Sequence, residues 1–257
     1  MHDLLPLLFF VLGAIIASFI GVVVARLHTG ESMVHGSSRC DACGRALTPR
    51  SLIPLFSYTL ARGRAHCCGA RLSPTSTVAE CLLGILFVVS YAQLGLTMDL
   101  LLLLTTLSTL FFLVLYDLTH QILPPTALWL FVAFASFFGF ISASSYADFR
   151  STLLMAAVFA AFFALLHFAS RGRAMGLADT PLVFALSLLV GPAALAGFLF
   201  SFWIGGAVGI VILFATPRGS RIGIEVPFAP FLAAGFLLAY FTQWNPLSFF
   251  ALILGTG

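Results

Sequence analysis

The sequence predicts an all-α polytopic membrane protein of about eight transmembrane helices with one small cytoplasmic loop domain. Three observations carry that expectation. Hydrophobic types make up 61% of the 257 residues and charged types only 8%, where a soluble domain has about 25% charged. Apolar runs of membrane-crossing length recur along the chain. The basic residues, finally, are segregated into alternate connections.

The runs fall at about 4 to 25, 77 to 95, 100 to 116, 125 to 143, 150 to 170 and 193 to 215, with two shorter ones at 180 to 191 and 227 to 241. The first begins directly after Met1-His2-Asp3, with no basic residue ahead of it and no small-residue cleavage site, so it reads as a retained helix and not a removed signal peptide. The segment at 180 to 191 is short for a crossing: it extends back toward Gly176 or is a re-entrant piece buried in protein. The tail from Pro246 to Leu254 is too short to cross.

With the N-terminus outside, segments 26 to 76, 117 to 124, 171 to 179 and 216 to 226 face the cytoplasm. Eleven of the twelve Arg then lie inside (Arg26, Arg39, Arg45, Arg50, Arg62, Arg64, Arg71, Arg171, Arg173, Arg218 and Arg221) and only Arg150 outside, as the positive-inside rule requires. The domain boundaries follow: 1–26 is a first transmembrane helix, 27–76 a cytoplasmic cysteine-containing domain and 77–257 the main membrane domain.

The cytoplasmic loop carries four of the five cysteines. Cys40-Asp41-Ala42-Cys43-Gly44 can offer two thiolates to one metal, and Ala65-His66-Cys67-Cys68-Gly69 follows as a second cluster. A cytosolic position disfavours disulfides, and a polar loop of some fifty residues needs a staple. A tetrahedral zinc site is therefore expected from Cys40, Cys43, Cys67 and Cys68, with His66 the alternative to Cys67; the opposing reading is free cytosolic thiols. Ala65 stands where a regular Cys-x-x-Cys ending at Cys68 would place a cysteine. Cys81, in an apolar run, reads as a packed side chain.

Asp117, in Tyr116-Asp117-Leu118-Thr119-His120, stands where an apolar run ends, and Asp179, in Gly176-Leu177-Ala178-Asp179-Thr180, stands at another such boundary. Two crossings separate them, which returns both carboxylates to one membrane face. Acids at such depth are expensive unless they have a function. Two close carboxyls that share a proton supply a general acid and a general base from one residue type, the chemistry of aspartic proteases. The competing reading makes each Asp a solvated helix cap, Asp179 in particular because Thr180-Pro181 follow it. Glu80, one turn into the second run, reads as a cap or a partner for Arg71; His120 as a hydrated boundary residue within reach of Asp117; His167 as interfacial. Transport through the paired acids fits less well, since both sit at one boundary and not at the midplane.

Several stretches, in order, resemble the type IV prepilin peptidases, the leader peptidase and N-methyltransferase family of type IV pilus and type II secretion systems. They are Ala17-Ser18-Phe19-Ile20-Gly21 with Arg26-Leu27; Cys40-x-x-Cys43-Gly44; Leu52-Ile53-Pro54-Leu55-Phe56-Ser57-Tyr58; Arg62-Gly63-Arg64; Cys68-Gly69-Ala70-Arg71-Leu72-Ser73-Pro74; Glu80; Asp117 to Pro124; and Val226-Pro227-Phe228-Ala229-Pro230-Phe231. The resemblance implies an integral-membrane aspartyl endopeptidase of the bacterial inner membrane, with Asp117 and Asp179 as its catalytic pair, cleaving the leader of prepilin or pseudopilin substrates at the cytoplasmic face. It further implies S-adenosylmethionine-dependent methylation of the new N-terminus, associated with the zinc-binding-like loop. The expected partners are those substrates and membrane lipid, not nucleic acid. The family's second aspartate motif reads Gly-x-Gly-Asp-x-Lys, and its late motif has Gly where Ala229 stands. Ala178 and Pro181 depart from the former. If that Gly serves a positive φ or close backbone approach, Ala178 costs roughly 1 kcal/mol or more. A relative that binds pilin-like helices without cleaving them is the alternative resting on these two residues.

Overall fold

In the computed structural model of the chain, the described residues are 4–27, 43–45, 63–64, 67–70, 74–173, 175–215, 227–244 and 246. Cys40, His66, Arg39, Arg50, Arg62, Arg71, Arg218 and Arg221, named above, lie outside them, as does most of 27–76. Among the described residues the long elements are α-helices: α1 Leu4–Arg26, α2 Thr75–Leu94, α3 Met98–His120, α4 Pro125–Ser142, α5 Tyr146–Ser170, α6 Asp179–Val190, α7 Ala194–Ala215 and α8 Ala229–Thr242. A short 3₁₀ turn, Gly191–Ala193, joins α6 to α7.

Among the described residues six segments are long and apolar enough to cross a membrane: α1 to α5 and the continuous run Asp179–Ala215. The protein is thus an all-α multi-pass membrane protein. Large apolar side chains such as Leu7, Leu8, Ile15, Phe137 and Phe214 are exposed on helix surfaces, as lipid-facing residues are. Each of the eight expected runs becomes a helix, and among the described residues six segments have crossing length. At 12 residues α6 reaches only about 18 Å, against a hydrocarbon core of about 30 Å.

The chain divides into two compact units, Met1–Phe112 and Leu113–Gly257. In the first, α1 packs on α2 through Gly13 and Gly84: a Cβ on Gly13 would stand 2.7 Å from the Leu83 carbonyl oxygen, and one on Gly84 2.8 Å from the Phe10 ring. Without a water-driven force between helices in lipid, such close backbone approach supplies the van der Waals contact that holds them. Phe9 stacks on Tyr91 beside this crossing, ring centroids 4.7 Å apart.

The second unit is built around α6. Nine of its twelve residues are buried, from Asp179 through Leu182, Val183 and Ala185 to Val190, so it is covered on every side. The segment is short and buried in protein, and its helix begins at Asp179 without extending back to Gly176. Helices α4, α5, α7 and α8 pack on it. Gly139 of α4 lies so close that a Cβ there would stand 2.5 Å from the Leu188 carbonyl oxygen. Helices α7 and α8 pack on each other through Gly197 and Gly235, and the Ser201 hydroxyl lies 2.8 Å from the Gly197 carbonyl and 3.2 Å from that of Leu232. This packing holds the N-terminal ends of α6 and α8 in place, and the carboxylates sit there.

Candidate active site

Asp117 lies on the last turn of α3. The helix ends just beyond it, where Gln121 takes a left-handed conformation (φ 55°) and returns its N–H to the Asp117 carbonyl at 2.8 Å. Pro124 is extended (ψ 121°) and Pro125 opens α4, because proline fits the first helical position and cannot continue a preceding helix. The Asp117 side chain is 7% exposed, and its Oδ2 accepts a hydrogen bond from the Ala229 amide at 3.2 Å. Ala229 is the first residue of α8, so the carboxylate faces a helix N-terminus, where free N–H groups favour an anion. The ring of Phe228, one residue earlier, is anchored among Phe163, Phe202 and Phe231 at centroid distances of 6.1, 5.8 and 6.4 Å. Aromatic packing thus fixes the point from which Ala229 donates.

Asp179 opens α6 and is 8% exposed. Its Oδ2 accepts from the Gly176 N–H at 3.2 Å, while its own N–H donates to the Gly176 carbonyl at 3.3 Å. This reciprocal pairing closes the turn that leads into α6, the side chain reaching back to an N–H of the preceding loop. A Cβ on Gly176 would meet Asp179 Oδ2 at 3.4 Å, an ordinary van der Waals contact. The N-cap of α6 is Ala178, with no side-chain cap, so Asp179 is not the solvated helix cap of the competing reading; its carboxylate is buried and bonds the preceding loop. The two carboxylates also lie within electrostatic reach of one another. Buried acids that repel one another do not ionise together readily, which leaves a base and an acid in one site.

The residues that depart from the expected motif have plain structural roles. Ala178 has φ −68° and ψ −19°, an ordinary right-handed conformation, so the penalty for a positive φ does not arise. Pro181 lies in the first turn of α6, where the missing N–H has no helical partner to lose.

Of the expected metal ligands, Cys43, Cys67 and Cys68 come together, their sulfurs all within 4.8 Å of one another, while Cys40 is outside the described residues. Cys43 Sγ is 3.4 Å from Cys67 Sγ, and Cys67 Sγ is 3.9 Å from Cys68 Sγ. Tetrahedral zinc with bonds of about 2.3 Å sets its sulfurs about 3.8 Å apart, so the spacing fits. Gly44 and Gly69, directly after Cys43 and Cys68, have φ of 70° and 71°, the left-handed turn that glycine allows. Three soft donors at this separation suit zinc.

Residues 11–94 match the bacterial peptidase A24 N-terminal domain family. A prepilin leader peptidase/N-methyltransferase of Myxococcus xanthus is 34% identical over 81% of the chain and 63% of its own length. One of the same name from Bacillus subtilis is 30% identical over 94% of the chain and 96% of its own length. The chain belongs to the prepilin leader peptidase/N-methyltransferase family. A type 4 prepilin-like proteins leader peptide-processing enzyme of Escherichia coli is 28% identical over 93% of the chain and 94% of its own length. No solved structure matches the chain.

Within this family member, the structure gives several residues roles that the sequence did not display. Ala229 and Gly176 contribute through backbone N–H groups, which no side-chain pattern displays; the available signal was Pro227 and Pro230 flanking a helix start. His167, read as interfacial, instead binds the Met175 carbonyl through Nδ1 at 2.9 Å. The Thr180 hydroxyl is buried and has no hydrogen-bond partner among the described residues. Glu80 is buried on α2, and Arg71, its expected partner, lies outside the described residues. The His120 ring packs against Tyr116, centroids 4.4 Å apart.

Proposed function

We propose that the protein is an intramembrane aspartyl endopeptidase that removes the leader of type IV prepilin-like substrates, with Asp117 and Asp179 as its catalytic pair. The observation that carries this reading is the burial of both carboxylates in one unit, each on a backbone N–H and each within electrostatic reach of the other. A purely structural cap would be as stable exposed, and burying two acids without a use is costly. In the reaction, the ionised carboxylate takes a proton from water, which adds to the scissile carbonyl. The protonated partner then gives its proton to the departing amine as the C–N bond breaks. Ala229 and Gly176 N–H hold the two groups in orientation throughout.

The positive-inside distribution of Arg supports an N-terminus outside, cleavage at the cytoplasmic face and residence in the bacterial inner membrane. The names of the relatives support methylation of the newly exposed N-terminus. S-adenosylmethionine would supply the methyl group. The segment 27–76 would serve this second activity, with Cys43, Cys67, Cys68 and Cys40 as its structural zinc ligands, and 77–257 the first. The scaffold alternative loses its geometric basis at Ala178, which sits unstrained.

The test is to incubate the purified chain with a type IV prepilin and S-adenosylmethionine and read the product N-terminus by mass spectrometry. Cleavage ahead of the hydrophobic helix with a methylated N-terminus is expected. Intact prepilin that still co-purifies with the chain would overturn the peptidase reading in favour of the scaffold.

A further inference from the structure

One peptide group next to Asp179 is gripped from both sides. Its N–H belongs to Gly176 and donates to Asp179 Oδ2 at 3.2 Å; its C=O belongs to Met175 and lies 2.9 Å from His167 Nδ1. A carbonyl can only accept, so Nδ1 carries the proton. The path from His167 to the carboxylate is therefore one hydrogen bond, one planar amide and a second hydrogen bond.

The surrounding chain is arranged to make this contact. His167 is half-buried on the last turn of α5. The helix ends at Arg171 with φ 53°, and the Gly172 N–H returns to the His167 carbonyl at 2.8 Å. Gly172 itself has φ 76°, and a Cβ on it would stand 3.3 Å from His167 Cε1, so only glycine lets the loop pass this closely over the ring. The Ser170 hydroxyl donates to the same carbonyl at 3.2 Å, fixing the backbone that carries the imidazole. An exposed loop thus gains a side-chain anchor one peptide away from the group it presents.

From this we infer that His167 is a positioning residue for the reaction: its Nδ1–H holds the Met175–Gly176 peptide in the orientation that aims the Gly176 N–H at Asp179. Donation to the carbonyl polarises the amide, and hydrogen bonds arranged in a chain strengthen one another. The single ring therefore sets both the direction and the strength of the bond that Asp179 receives. The inference rests on the proposed catalytic role of Asp179, and His167 itself touches no reacting atom.

The variants that test it separate the donor from the bulk of the ring. His167→Asn keeps an N–H donor near the Nδ1 position. His167→Phe keeps the aromatic volume and loses the donor, and His167→Ala loses both. With purified, folded enzyme and a prepilin peptide, His167→Ala and His167→Phe are expected to lower kcat about tenfold, the equivalent of one hydrogen bond, with KM within twofold. His167→Asn should recover kcat to within about threefold of wild type. Wild-type kcat in the Phe variant, or Asn no better than Ala, would overturn the assignment, because the ring would then act by filling space. An Asp179→Asn control run in parallel keeps the two readings apart. If it cleaves at the wild-type rate the catalytic reading fails, whereas an inactive control beside fully active Ala and Phe variants removes only the role of His167.

Discussion

The Ala229 amide donates to Asp117 Oδ2 at 3.2 Å across 112 positions of sequence, so a carboxylate at the C-terminal end of one helix rests on the N-terminal end of another. At the end of α3 alone the charge would face unsatisfied carbonyls, an unfavourable placement by about 0.3–1 kcal/mol. The N-terminus of α8 reverses that sign, and both helices are needed for the site to exist.

Asp117→Asn tests whether this carboxylate does more than join two helices. Asparagine keeps the shape and an oxygen for the Ala229 N–H, but neither ionises nor delivers a proton at neutral pH. Insertion into the membrane and thermal stability should stay near wild type, while prepilin cleavage falls about 10²–10⁴-fold, the range for loss of a general acid or base. The ratio of precursor to mature pilin on a gel reports it. Processing above about a tenth of the wild-type rate would remove Asp117 from the chemistry.

The conformation of Ala178 makes a prediction that runs against the family motif. With φ −68° it needs no glycine, and Ala178→Gly adds backbone freedom to the unfolded chain at a cost of up to about 1 kcal/mol. The variant should melt about 2–4 °C lower and cleave no faster than wild type. A clear gain in rate would mean that the methyl group obstructs substrate.

The sulfur cluster predicts one zinc per chain. Cys43→Ser and Cys68→Ser each remove a thiolate from a set whose sulfurs lie within 4.8 Å, and should lower zinc content, read by elemental analysis of protein purified without chelator, to well below half. Prolonged chelation should do the same to wild type. A wild-type preparation free of zinc, cobalt and iron would reduce the cluster to three unligated thiols.

Much of this was legible in the sequence, for identifiable reasons. Helices that face lipid must be apolar over their whole length, so α1 to α5 are conspicuous as runs, and the knuckles show as Cys followed by Gly. Asp117 and Asp179 stood out because charge is rare at such positions. Their partners did not, because the Gly176 and Ala229 N–H groups are backbone and their placement depends on the aromatic anchoring of Phe228 and the packing of α6. The number of crossings was also hard to read: α6 is apolar because protein covers it, and composition does not distinguish a protein neighbour from a lipid one.

Thr180 follows Asp179 on the first turn of α6, and its hydroxyl is buried with no hydrogen-bond partner among the described residues. An unsatisfied buried hydroxyl costs about 1–3 kcal/mol. Thr180→Val keeps the branched shape and removes the polar atom, so the resting enzyme should melt about 2–4 °C higher, corresponding to about 1 kcal/mol. A lower melting temperature would show that the hydroxyl is already satisfied. The KM for prepilin, measured on the same preparation, distinguishes two uses of the group. An unchanged KM leaves the hydroxyl a simple packing defect. A several-fold rise at constant kcat would make it a donor held beside Asp179 for the substrate backbone, with its stability cost in the free enzyme offset only when the peptide binds.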